Sequence, residues 1–263
     1  MRVVNKKDKV EGALFIGRPS KWGNPYKIGE HGTREEVIKL YEKHVFTHAE
    51  LYYSLPELQG YEALECFCAP LPCHGDVLAR LAETHVTGGV CHQLRITITG
   101  SRKGVSYDRV AAVLERWRGH GNHWILGGAL GVDHHALRWC QENDEEYWVY
   151  HPSGHNGSHP PVGPDEENRR LLNQAFFKAR LHLLAYEDYP KAAAYHRRNG
   201  VMLEGADLCL AFPSPSAYRD FRALLEAGAF EDIKAPIVGH GGTINAISQA
   251  KIRDIPIKVT GRR

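Results

Sequence analysis

Residues 94–152 contain LRITITG (94–100), SYDRVAAVLERW (106–117), HWILGG (123–128), GVDHHALRWCQEN (131–143) and EYWVYHP (146–152). The first, third and fifth segments are short runs rich in β-branched and aromatic residues, the mark of buried strands. The second and fourth repeat their apolar residues at helical spacing. Strand and helix therefore alternate, which implies right-handed crossovers and a mainly parallel sheet with helices on both faces.

The pattern continues downstream. NRRLLNQAFFKARLHLLAY (168–186) and AAAYHRRNGVMLEG (192–205) read as helices, and ADLCLAF (206–212) as a strand. AYRDFRALLEAG (217–228) and NAISQAKIR (245–253) are helices, and IPIKVT (255–260) closes a sheet of about five strands. Residues 153–164, rich in Gly, Pro and His, read as a loop.

Upstream the texture differs. LFIG (14–17) is a short strand, and RPSKWGNPY (18–26) has no periodicity. Thr33 and Glu36 have the spacing of a capping box, followed by an apolar face of Val37, Ile38, Leu40, Tyr41 and Val45. AELYYSLPEL (49–58) is a second helix with a break or first turn near Pro56, EALECFC (62–68) a strand, and DVLARLAETHV (76–86) a helix. THVTGGVCHQ (84–93) carries glycines and no periodicity, which places a linker there. The fold class is thus α/β: a small α/β domain over residues 1–90, then a Rossmann-like parallel-sheet domain over residues 91–263.

The 263 residues are 43% hydrophobic and 24% charged with a net charge of +2, which excludes disorder and collagen. No run approaches the ~20 apolar residues of a membrane span. MRVVNKKDKV, the first ten residues, lacks the apolar region of a signal peptide, so the chain reads as cytoplasmic with no membrane partner. Basic and acidic residues are interspersed, and nucleic acid is not an expected partner.

In an open parallel sheet, ligands bind at the carboxyl ends of the strands. Three loops at that edge suit an anion: Thr99-Gly100-Ser101-Arg102, Gly127-Gly128-Ala129-Leu130-Gly131-Val132-Asp133, and Gly241-Gly242-Thr243. Glycines admit a close backbone approach, and a hydroxyl and a guanidinium suit phosphate oxygens. The expected partner is therefore a phosphate-bearing small molecule. Asp133 also fits a plain helix-capping role. His134 and His135, adjacent on a helix, do not both face one cleft and read as surface or packed imidazoles.

The strings ITGSR, GGALGVDHHALRW, YHRRNGVMLEGADLCLAF and GHGGTINAISQAKIRDIPI resemble the YspA-like branch of the SLOG superfamily over residues 94–261. That superfamily of Rossmann-like nucleotide-binding domains includes the LOG phosphoribohydrolases and the DNA-processing protein DprA. The resemblance implies a ligand cleft lined by Gly100, Ser101, Arg102, Gly128, Gly131, Asp133, Arg198, Asn199, Gly241, Gly242 and Thr243. LOG hydrolases carry a glutamate three residues after the threonine of their glycine-threonine motif, where this chain has Ala246. A carboxylate that assists glycosidic cleavage would then be Asp133 or Glu204. The resemblance also implies a homo-oligomer.

GRPSKWGNPYKIG, GTREEVI and ECFCAPLPCHGDVLA, within residues 17–79, resemble a small uncharacterised domain of phage and bacterial proteins. Arg18, Ser20, Lys21, Trp22 and Asn24 there combine cations, a hydroxyl, an amide and an indole, a set suited to holding a phosphate and stacking a base. The plainer alternative is a surface loop anchored by a buried tryptophan.

Cys66, Cys68, Cys73 and His74 admit three readings. Zinc is one, not favoured by the spacing, because adjacent Cys73 and His74 need a tight turn to converge. A reactive Cys73 at a helix N-terminus is the second. Core cysteines beside a ligand-contacting Cys73-His74 turn are the third, and no cofactor is then needed.

Three functions follow. The first is binding and processing of a nucleotide or nucleotide sugar at an N-glycosidic bond, by a phosphoribohydrolase-like hydrolase or transferase. The second is a catalytically silent sensor or sequestering protein in phage or bacterial conflict. The third, weakest, is single-stranded DNA binding.

Overall fold

Small parallel sheets need apolar strand centres, and the first unit supplies them in three short pieces. The computed structural model describes residues 1–153, 166–178, 180–185 and 191–261. The chain divides into two units, Met1–His92 and Gln93–Arg263. In the first, β1 (Arg2–Asn5), β2 (Ala13–Phe15) and β3 (Ala63–Cys66) form a parallel sheet in the order β1-β3-β2. Ala63 lies opposite both Arg2 and Ala13, and Ala63 and Leu64 are fully buried. β1 was not expected from the sequence. It has four residues, of which only Val4 is buried, too few for a period-2 pattern to emerge.

Helix α1 (Arg34–Thr47) begins at the expected capping box: Thr33 Oγ1 accepts from Glu36 N–H, and Glu36 accepts from Thr33 N–H at 2.6 Å. It buries Val37, Tyr41 and Val45, whereas Leu40, expected on that face, is exposed. The next helical stretch is divided into α2 (Ala49–Tyr52) and α3 (Leu55–Leu58), with Pro56 in the first turn of α3, where its missing N–H costs nothing. Helix α4 (His74–Thr84) follows β3. At the expected linker the chain forms a hairpin instead: β4 (Val86–Thr87) and β5 (Val90–Cys91) pair antiparallel. Gly88 and Gly89, at φ 61° and 80°, supply the left-handed turn that the strand twist requires.

The second unit is a six-stranded, all-parallel sheet flanked by helices. Its elements are β6 (Arg95–Gly100), α5 (Tyr107–Leu114), β7 (His123–Leu126), α6 (Val132–Glu142), β8 (Tyr147–Ser153), α7 (Glu166–Phe177), β9 (Leu181–Ala185), α8 (Lys191–Leu203), β10 (Leu208–Phe212), α9 (Pro215–Glu226), α10 (Gly242–Ile252) and β11 (Ile257–Val259). The sheet order is β11-β10-β6-β7-β8-β9. β10 is buried at every residue, as a central parallel strand should be.

One expectation is corrected here. Residues 168–186 are not a single helix: α7 ends at Phe177, and Leu181–Ala185 is the sixth strand, paired with β8 from Val149↔Leu181 onward. A short apolar run such as LHLLA fits either period, and the sheet edge beside β8 decides it. The expected loop at 153–164 falls, after Ser153, outside the described residues.

The chain runs β6, β7, β8, β9 to one side and then returns to place β10 on the other side of β6. The switch point of the topology therefore lies between the carboxyl ends of β6 and β10. Core clusters fix the helices there: Ala211, Phe230, Ile244 and Ile247 hold α10 over the sheet, and Leu203, Cys209, Ala250 and Ile255 tie in α8. Among the described residues, no helix is long and apolar enough to cross a membrane.

Candidate functional site

A cleft of about 580 Å³ opens at the switch point. The loop after β6 contributes Gly100, Ser101 and Arg102, α8 contributes Arg198 and Asn199, and the start of α10 contributes Gly241, Gly242 and Thr243. Ser101 is fixed from both sides: its N–H donates to Phe212 O at 3.0 Å, and its Oγ accepts from Ser214 N–H at 2.8 Å. Gly100 must be glycine, because a Cβ there would stand 2.4 Å from Val132 Cγ2. Gly241 holds φ 86° as the N-cap of α10, and among the described residues neither it nor Gly242 has an atom within 4 Å of its Cβ direction. The amino end of an eleven-residue helix is thus bare on the cleft side.

Arg198 is the charged centre of this site. It is 6% exposed, and its Nη1 donates to Asp133 Oδ2 at 3.1 Å. The guanidinium occupies the space where Gly127 would carry a Cβ, which would fall 1.2 Å from Nη1. Its Nε is buried and finds no hydrogen-bond partner among the described residues. Tyr195 stacks beneath two cations: the Arg102 and Arg198 guanidinium carbons lie 4.9 and 5.4 Å from its ring centroid. Burial lowers the pKa of His196, another lining residue, so its imidazole is neutral at pH 7.

Other expected residues fall elsewhere. Asp133 lies behind Arg198, not on the lining, and accepts from Ala129 N–H at 3.2 Å as well. Gly131 (φ 82°) packs on Arg102 and Ser101 backbone atoms 2.5 Å from its Cβ direction, and Gly128 (φ 66°) packs under Val149, His151 and Leu172. Both shape the loop without facing the cleft. Glu204 is exposed at the far end of α8, where Gly205 meets Arg95 at the start of β6. That is the amino edge of the sheet, so Glu204 is removed from any role in the cleft. His134 is hydrogen-bonded to Asn168 at 3.1 Å, and His135 meets Tyr107 edge to face, as expected for packed imidazoles. Tyr195, His196 and His240 also line the cleft; the Y-H-R-R-N spacing, which puts Tyr195 one turn before Arg198, was the available signal.

The first unit has its own pocket of about 530 Å³, lined by Arg18, Asn24, Arg34, Cys66, Cys73 and His74 among others. Asn24 spends its amide on structure, donating to Val37 O and accepting from Tyr26 N–H. Ser20, Lys21 and Trp22 are not part of the lining. Lys21 pairs with Glu57 at 2.5 Å, and Trp22 is 2% exposed with its carbonyl accepting from Tyr41 Oη at 2.6 Å. A buried indole cannot stack a ligand base, so Trp22 is an anchor. Ser20 Oγ is buried.

Cys66 ends β3, Cys73 is the N-cap of α4, and His74 is its first residue. Cys73 Sγ accepts from Gly75 N–H at 3.3 Å, while Asp76 accepts from Cys73 N–H at 2.8 Å, a capping box built on a thiol. One ligating atom from each of Cys66, Cys73 and His74 lies within 4.8 Å of the others. The Cys73 thiol and the His74 ring, hydrogen-bonded to Cys66, hold its thiol well below the usual range; Cys73 shifts the opposite way, raised by that hydrogen bond to Cys66 and by burial. Cys68 lies past the end of β3, half-buried, and outside this trio.

The molecule thus joins a Rossmann-like unit with a cationic cleft to a small parallel-sheet unit with a thiol-imidazole pocket. Residues 2–84 match a family described as a domain of unknown function (DUF4326), and the chain belongs to that family. It is 31% identical over 96 residues to an uncharacterised protein of Acanthamoeba polyphaga mimivirus, covering 29% of this chain and 72% of that one. It is 37% identical over 86 residues to an uncharacterised 12.4 kDa protein from the nrdA-td intergenic region of Enterobacteria phage T4, covering 31% of this chain and 77% of that protein. The phage-associated resemblance of the amino-terminal motifs agrees with these matches. No solved structure matches the chain.

Proposed function

We propose that the cleft of the second unit binds a nucleotide or nucleotide sugar through its phosphate. The observation that carries this reading is Arg198, a buried guanidinium with an unpartnered Nε among the described residues, on the lining of a cleft that the bare amino end of α10 also lines. A buried donor without an acceptor is costly, and an anion is the acceptor that offsets it. The likeness of residues 94–261 to the YspA-like branch of the SLOG superfamily supports a nucleotide over a free anion. Tyr195 offers a face for a base or sugar.

Among the described lining residues there is no carboxylate. That favours the silent binder, a sensor or sequestering protein, over N-glycosidic cleavage. Cleavage is the second reading. Its support is Asp133, a carboxylate hydrogen-bonded to the lining residue Arg198, as a group that would act on a ribose or an oxocarbenium-like transition state. Homo-oligomer formation, which the likeness to the SLOG superfamily implies, completes the proposal.

The test is a nucleotide panel incubated with the full chain, analysed for binding and for released base. Binding of one nucleotide with no product supports the silent binder. Released base that disappears in Asp133→Asn supports cleavage, and no binding of any nucleotide refutes both.

A further inference from the structure

The cysteine-histidine trio of the first unit lies outside the cleft and answers a different ligand. Its three donors come from two elements held tightly together. A Cβ at Gly75 would stand 2.7 Å from Ile16 Cδ1 and 3.0 Å from Val3 Cγ1, so the glycine lets the first turn of α4 press onto the sheet that carries Cys66. The helix N-cap turns Cys73 back over its own first turn, which is how two adjacent residues converge on one point. The spacing alone does not reveal this.

The surroundings are those of a ligand sphere with outer support. His74 Nε2 hydrogen-bonds to Ile16 O at 2.9 Å and therefore carries the proton. Nδ1 is then the ring nitrogen left for a ligand, and a ligating imidazole is ordinarily fixed in this way through its other nitrogen. Gly75 N–H donates to Cys73 Sγ, and Asp76 locks the backbone of the same residue. All three residues are buried. A tetrahedron with ~2.3 Å metal-sulfur bonds has edges of about 3.7 Å, which small side-chain rotations reach from a spread of 4.8 Å.

We infer that Cys66 Sγ, Cys73 Sγ and His74 Nδ1 hold one zinc-class divalent ion, its fourth position open to the pocket lined by Arg18, Asn24 and Arg34. Two thiolates and an imidazole select a borderline-soft ion, and a three-ligand set leaves room for water or an anion. The cations of the pocket favour an anionic occupant. Arg34 is itself anchored, its Nη1 donating to Pro72 O at 3.2 Å.

The experiment is a cobalt(II) titration of the reduced, metal-free full chain, followed by zinc. One equivalent of cobalt should give tetrahedral d–d bands and a charge-transfer band of two-thiolate strength, both bleached by one equivalent of zinc. Thiocyanate should shift the bands, reporting the open position. Cys66→Ser and Cys73→Ser should each remove one thiolate's intensity, and Cys68→Ser should leave the spectrum unchanged, with circular dichroism as the check on folding. No tetrahedral spectrum at one equivalent overturns the site. Loss of the spectrum in Cys68→Ser, or its indifference to thiocyanate, overturns the open position. If the variants fail to fold, the wild-type titration and the thiocyanate shift decide alone.

Discussion

Arg198 and Asp133 form a 3.1 Å ion pair with side chains only 8% and 7% exposed, the guanidinium lying where Gly127 has no Cβ. The pair places a fixed positive charge at the sheet's switch point and leaves one edge of it, Nε, unpartnered among the described residues.

Breaking that pair on one side strands a buried charge. Arg198→Met is expected to destabilise the second unit by about 3–5 kcal/mol in chemical denaturation, and Arg198→Met with Asp133→Leu to recover most of the loss. Nucleotide binding should not recover with it, because the guanidinium is gone in both.

Gly127→Ala tests the same relationship from the backbone. The new methyl would overlap the guanidinium, so Arg198 must leave its place. Binding should fall about tenfold or more, an energy of about 1.4 kcal/mol. Gly242→Ala, with open space around its Cβ direction among the described residues, should lose less stability than Gly131→Ala, where a positive φ and Arg102 backbone atoms at 2.5 Å forbid the methyl.

Acid should weaken the second unit. Burial, with a smaller contribution from Arg198, lowers the His151 pKa to about 4. The unfolded chain takes up a proton on this residue below about pH 6.5, while the folded chain resists until about 4. Stability from His151 is therefore complete above pH 6.5 and lost as pH falls toward 4, by roughly 3 kcal/mol at most. Denaturation at pH 7.0 and pH 4.5 should show His151→Phe with a smaller pH dependence than the parent chain. Burial lowers His135 and His196 too, which adds loss of the same sign.

Trp22 and Tyr41 separate anchor from ligand contact in the first unit. Trp22→Ala should cost about 3–5 kcal/mol and Tyr41→Phe about 1–3 kcal/mol, the latter by leaving Trp22 O without its donor. Urea titration read by circular dichroism measures both.

The β-α-β alternation over residues 94–152 was legible because buried parallel strands and amphipathic helices have distinct periods. Gly100, Ser101, Arg102 and the Gly241-Thr243 turn were legible as glycine turns at one sheet edge, whereas Arg198 and Asn199, inside α8, entered only through the resemblance to the SLOG superfamily. Glu204 was not: only the direction of α8 tells that it sits at the opposite edge from Arg198. Nor was the fate of Trp22, since an indole in a turn-rich loop reads the same whether it is buried or stacked. The convergence of Cys66, Cys73 and His74 depends on a thiol N-cap and on Gly75 packing against Ile16, which are tertiary facts. β1 and β9 were too short, or too ambiguous in period, to stand out.

The measurement that bears most directly on the cleft is calorimetric titration of the full chain with nucleoside mono- and diphosphates, set beside Arg198→Met with Asp133→Leu. The account predicts one site per chain, saturable by at least one nucleotide and not by its unphosphorylated nucleoside, and lost in the double variant. Equal binding of nucleoside and nucleotide, or binding that survives the loss of Arg198, would contradict it.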